Sequence, residues 1–218
     1  MNDAELKRSI VAEFEFEPSI NATHIGVAVE NGVVTLTGRV STFAEKVAAE
    51  RVALRVRGVR ALAQEIVVRY PEDKKTSDDE IAERALKVIG WHAGLPGDAI
   101  KVKVQHGLVT LSGTVAWQYE RAAAEAAVRK FSGVVGVFNT ITLRPALLAN
   151  ASEVEHRIRD ALQRNAELEA DDIHVAVTDG HTVRLEGKVH AWRERSMAEH
   201  AAWSVQGVTK VDDRIVVV

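Results

Sequence analysis

Gly38 and Gly58, Gly113 and Gly133, and Gly187 and Gly207 each stand 20 residues apart, and the pairs recur after 75 and then 74 residues. A fixed spacing repeated three times describes a small module written three times, not a 218-residue enzyme domain. Each copy has roughly 70 residues, and a chain that short buries only about 60% of its unfolded surface. A function for this chain must therefore work for a tandem array.

The copies agree position by position. Each opens on a helix-start signal: Ser77 with Glu80 and Ser152 with Glu155 fit the S-x-x-E capping box, and Asn2 with Glu5 is a looser version. Apolar residues follow at helical spacing. Alternation comes next, in Ile25-Val27-Val29, Ile100-Val102-Val104 and Ile173-Val175-Val177, as expected of a strand with one buried face. Asn31-Gly32, His106-Gly107 and Asp179-Gly180 predict tight hairpin turns, and His181 is an insertion. A second strand runs through Val34-Leu36, Val109-Leu111 and Val183-Leu185 to the first glycine of each pair. That glycine implies a bulge or a closely packed helix.

A narrow alanine-rich stripe then predicts the second helix: Ala49, Val52, Ala53 and Val56, matched by Ala124, Ala127, Val128 and Phe131, and by Ala198, Ala201, Ala202 and Val205. The second glycine falls where a left-handed helix cap is expected. A last strand carries Ile66-Val68, Ile141-Leu143 and Ile215-Val217. The crossover into it should be parallel and right-handed. The expected fold class is α+β: three tandem α-β-β-α-β modules, each a three-stranded mixed sheet with two helices on one face. Their expected bounds are residues 1–71, 76–145 and 150–218.

Bulk charge narrows the function. The net charge is -3, whereas a dedicated nucleic-acid binder shows a basic excess. Residues 148–218 carry 9 basic and 13 acidic side chains, so the third copy is acidic. The chain has no cysteine, which excludes disulfides and thiolate chemistry. No run approaches the length of a membrane span. The charged opening Met1-Asn2-Asp3-Ala4-Glu5 lacks an apolar region behind it, so the expected location is cytoplasmic.

The segments Val33-Val34-Thr35-Leu36-Thr37-Gly38, Val109-Thr110-Leu111-Ser112-Gly113 and Val183-Arg184-Leu185-Glu186-Gly187 resemble those of the BON domain family. Gly58-Val59, Gly133-Val134 and Gly207-Val208 support the likeness, as do Asn139 and Asp213 before the final strand. These motifs encode turns and packing. The resemblance implies a bacterial, non-enzymatic module associated with phospholipid membranes, osmotic or envelope stress, transport or small-ligand binding. Many family members are periplasmic.

Candidate chemistry is sparse. The eight histidines are scattered, with no tight ligand spacing. Asp171, Asp172 and His174 are close in sequence, but alternation puts Asp172 and His174 on one outward face without a third ligand nearby. The expectation is no metal, no cofactor and no catalytic residue. Aromatics recur between second strand and second helix at Phe43, Trp117 and Trp192, with Arg121 and Arg193 nearby, and Trp91 ends the first helix of the middle copy. Two readings stand for these rings. They close a small core, or they form an aromatic-plus-basic edge for lipid head groups or a protein partner. The reading adopted is a stress-associated adaptor that binds phospholipid surfaces or protein partners. Its alternative is a small-ligand or ion sensor that uses backbone carbonyls at the module joins, and a purely structural assembly is a third possibility.

Overall fold

A computed structural model describes residues 2–70, 76–92, 94–144, 151–164 and 173–218. It forms two compact bodies. One comprises residues 1–115 and 120–142, and so holds modules 1 and 2; the other comprises residues 116–119 and 143–218, and so holds module 3.

Module 1 runs α1 (Asp3–Phe16), β1 (Ile25–Glu30), β2 (Val33–Val40), α2 (Phe43–Arg55) and β3 (Ala61–Val68). The strand order is β1-β2-β3, with β1 antiparallel and β3 parallel to the central β2. Module 2 repeats this as α3 (Asp78–Trp91), β4 (Ile100–Gln105), β5 (Leu108–Val115) and α4 (Gln118–Val128), but its last strand is broken into β6 (Gly136–Asn139) and β7 (Thr142–Leu143). Both pieces pair with β5. Module 3 has α5 (Ala151–Gln163), β8 (Ile173–Thr178), β9 (Thr182–Val189), α6 (Trp192–Trp203) and β10 (Lys210–Val217), in the same topology. The expected α-β-β-α-β module is therefore present three times.

Each core forms where the inward positions of the sheet meet two helices. In module 1, Leu6, Ile10 and Phe14 of α1 and Ala49, Val52 and Ala53 of α2 are buried with Val34, Leu36 and Ile66. Small alanines on α2 let its backbone approach the sheet while α1 brings the bulk. In module 3 the same sandwich joins Val154, Ile158 and Leu162 to Ala198, Ala202, Val183, Leu185 and Ile215.

The helix starts sharpen the sequence reading. Asn2 forms a full capping box with Glu5: the Glu5 N–H donates to Asn2 Oδ1 at 2.9 Å, and the Asn2 N–H to Glu5 Oε2 at 3.0 Å. The Ser77 N–H donates to Glu80 at 3.2 Å. Ser152 is the second residue inside α5, so it does not cap that helix. The matching position is Asn150, which lies outside the described residues.

At the hairpin tips, the Asp3 carboxylate accepts both turn amides, from Asn31 at 2.7 Å and Gly32 at 3.0 Å. Asp78 does the same for His106 and Gly107 at 2.7 and 2.8 Å. The equivalent residue in module 3 is Ala151. There His181 lengthens the turn from two residues to three, and its Nδ1 lies 3.1 Å from the Gly207 carbonyl.

The glycine pairs resolve into two jobs. A Cβ on Gly38 would stand 2.0 Å from the His24 carbonyl, and one on Gly113 would stand 2.0 Å from that of Ala99. The close neighbour is thus the carbonyl that ends the short 3-10 turn leading into the adjoining strand, Ala22–His24 or Gly97–Ala99, and not one of the long helices. The later glycines are left-handed, with φ of 96° at Gly58 and 89° at Gly133. They do not sit at the helix cap, however. Helix α2 ends at an extended Val56, and Gly58 lies in the turn beyond it. In module 2 this turn packs back onto the first helix, where a Cβ on Gly133 would meet Ile81 at 2.8 Å.

Candidate functional site

With both helices on one face, the other face of each sheet is lined by outward strand positions. Alternation selects which residues appear there, and the three faces differ in chemistry.

In module 3 the outward residues neutralise one another. Arg184 lies 3.2 Å from Asp212 and 3.9 Å from Glu186, and Arg214 lies 2.9 Å from Asp212 and 3.7 Å from Glu186. Hydrogen bonding from Arg214, then from Arg184, holds the Asp212 carboxyl below its usual range. In module 1 five of the outward positions are small: Gly26, Ala28, Thr35, Ala61 and Ala63.

Module 2 combines cations with an exposed ring. Lys101 and Lys103 are exposed on β4, alternating with Val102 and Val104. Across the sheet Lys103 aligns with Thr110, and Thr110 with Phe138. Phe138 is 59% exposed. Leu108 covers the neighbouring Gly136, since a Cβ there would meet its side chain at 2.7 Å. Where module 3 places Glu186 and Asp212, module 2 has Ser112 and Phe138. Neither lysine has an ion pair or side-chain hydrogen bond among the described residues. The face is cationic and partly apolar, and its outward strand positions carry no carboxylate.

The residues singled out from sequence are distributed elsewhere. Trp91 is 83% exposed at the end of α3. Trp117 is half-buried, with its ring centroid 6.3 Å from that of Tyr119. It borders a shallow hollow of about 400 Å³ with Arg157, Arg164 and Val205. Trp192 is half-buried under the Arg195 guanidinium, 5.1 Å from its ring centroid, and Arg193 is exposed beside it. Phe43 begins α2, and its N–H faces the Tyr70 hydroxyl at 3.4 Å.

Arg121 serves a lock between α4 and the last strand. Asn139 donates to the Arg121 carbonyl at 2.8 Å and to Glu125 at 3.2 Å, while accepting from the Ile141 N–H at 3.2 Å. Module 3 builds the same lock from charge, with Arg195 on Asp213 at 2.8 Å. In module 1, Gln64 accepts from the Ile66 N–H at 3.0 Å, and its buried Nε2 has no partner.

Among the described residues no group of three or more His, Asp or Glu is placed to hold a metal ion. Asp171 and Asp172 lie outside those residues, as do most of the joins where backbone carbonyls were considered. No described helix is long and apolar enough to cross a membrane.

The BON domain profile matches residues 2–70, 77–145 and 150–218. The chain belongs to the BON domain family. This BON protein is also similar to osmotically-inducible protein Y of Escherichia coli (strain K12), at 29% identity over 150 residues, covering 65% of this chain and 72% of that one. Among solved structures it is similar to CdsD, a structural protein of the type III secretion system of Chlamydia trachomatis, at 14% identity over 98% of this chain and 92% of that one, with a TM-score of 0.28. A structure of the CdsD C-terminal domain matches at 14% identity over the whole of both chains, with a TM-score of 0.26.

Lys101, Lys103 and Phe138 were not singled out from the sequence. Aligning the three copies holds the signal: Phe138 occupies a position that is Ala63 in module 1 and Asp212 in module 3.

Proposed function

We propose that this protein is a non-catalytic binding module array of the osmotic-stress response, and that it docks on anionic phospholipid surfaces through the open sheet face of module 2. The observation that carries the reading is the exposed Phe138 in line with Lys103 and beside Lys101, on a face whose outward strand positions carry no carboxylate. An aromatic ring reaches the interfacial region of a bilayer while ammonium groups meet lipid phosphates. The stress assignment follows the name of the osmotically inducible relative.

Each lysine near an anionic surface contributes about 1 kcal/mol. Reversing both charges in Lys101→Glu/Lys103→Glu therefore weakens partitioning by more than about tenfold. Flotation with phosphatidylglycerol vesicles at low salt should recover the protein, and phosphatidylcholine vesicles should not. Phe138→Asp, which copies the residue of module 3, should abolish recovery. Absence of flotation on the anionic vesicles, or unchanged recovery of both variants, overturns the reading.

A further inference from the structure

Module 1 carries a second cationic feature that neither sister module reproduces. A shallow hollow of about 310 Å³ is lined by His24, Gly38, Arg39, Val67 and Arg69. Its position follows from the sheet register. Arg39 on β2 aligns with Val67 on β3. Arg69 lies two residues beyond Val67, where its N–H donates to the Val40 carbonyl at 2.9 Å. Residues two apart on a strand share a face, so both guanidinium stems rise from the outward side as diagonal neighbours. His24 and the side-chain-free Gly38 complete the lining beside the arginines.

Both arginines are exposed, and neither has an ion pair or side-chain hydrogen bond among the described residues. No carboxylate lines the hollow. Glu65 is the nearest acid on that strand face, and it too makes no ion pair with them. Two guanidiniums with no carboxylate partner among the described residues repel each other beside one hollow, and an anion between them removes that repulsion. Planar guanidinium forks suit a tetrahedral oxyanion through paired N–H donors. The corresponding residues are Thr114 and Arg144 in module 2 and Lys188 and Val218 in module 3, so the arginine pair belongs to module 1 alone.

We propose that the Arg39–Arg69 hollow of module 1 is a binding site for a phosphomonoester group. Two bidentate donors favour a dianion over the single charge of a phosphodiester. The exposed aliphatic Val67 beside the arginines offers a surface to the organic part of the ligand. The site uses no residue of the module 2 face and does not depend on that face binding lipid. A phosphomonoester arrives either as a soluble species or as a phosphatidic acid head group.

The test is a nitrogen-15 amide spectrum of the full chain titrated with inorganic phosphate, with chloride at matched ionic strength as control. Saturable shifts at Gly38, Arg39 and Arg69, with a dissociation constant on the order of 1 mM, are the expected result. Arg39→Gln and Arg69→Gln each should weaken that binding by about tenfold while leaving the rest of the spectrum in place. Vesicles of equal charge then separate the sources: preference for phosphatidic acid over phosphatidylglycerol, lost in Arg69→Gln, supports a head group, and phosphate saturation without that preference supports a soluble ligand. Absence of saturable shifts at these amides, or shifts that persist in both glutamine variants, overturns the proposal.

Discussion

Gly38 shows how one residue ties sequence to fold. Its φ of 113° lies in the left-handed half of the map, and its missing Cβ leaves room for the His24 carbonyl. Gly38→Ala should therefore cost about 1–3 kcal/mol from the backbone conformation, with the clash in addition. Gly90 is the opposite case. It lies in α3, and a Cβ there meets nothing within 4 Å. Gly90→Ala should stabilise by about 0.4–1 kcal/mol. Urea unfolding of the two variants checks both signs, and equal effects would contradict this account. The glycine spacing was legible in the sequence because it repeats. The partner of Gly38 was not, since strand alternation does not say which carbonyl crosses over it.

The hairpin clamp belongs to the scale of elements. Asp78 sits in the first turn of α3, where a carboxylate complements the helix dipole, and it also holds the amides of His106 and Gly107. Asp78→Ala should cost about 1 kcal/mol. It should also speed hydrogen exchange at those two amides while leaving the tip of module 3 unchanged, because Ala151 already stands there. Strands, helices and their order could be read from periodicity, because inward residues repeat at two or at three and four. Three details could not: the break between β6 and β7, the start of α5 ahead of Ser152, and the placement of Gly58 beyond the helix cap. Each depends on side-chain hydrogen bonds or on backbone geometry that periodicity does not encode. The proposed docking face of module 2 was hidden for a related reason. The sequence reading followed large rings near helix starts, whereas Phe138 and the two lysines are outward strand residues that stand out only beside their counterparts.

For the molecule as a whole, the joint between modules 1 and 2 rests partly on one phenol. Tyr70 donates to the Val134 carbonyl at 2.6 Å and also lies 3.4 Å from that of Phe131. Burial raises its pKa above the ordinary value of 10.0. A raised phenol pKa means that the unfolded chain ionises first as pH climbs. The contribution of Tyr70 is thus complete below about pH 10 and is lost as pH rises through the folded pKa. Tyr70→Phe should cost about 1 kcal/mol at neutral pH. Thermal unfolding of both proteins from neutral to strongly alkaline pH should show the wild-type advantage shrinking above about pH 10. A constant difference would contradict the role of the hydroxyl. Triplication was plain in the sequence, but this joint was not, because nothing local marks Tyr70 as reaching beyond its own module.

The extra residue of module 3 has a consequence for how such a chain can change length over time. His181 lies in the tip, between Thr178 and Thr182, which remain paired. One residue added inside β9 would instead shift the pairing register and turn its inward side chains outward. Insertions and deletions are therefore tolerated at the tips and selected against in the strands, so the copies can drift in length there without exchanging their buried and exposed faces.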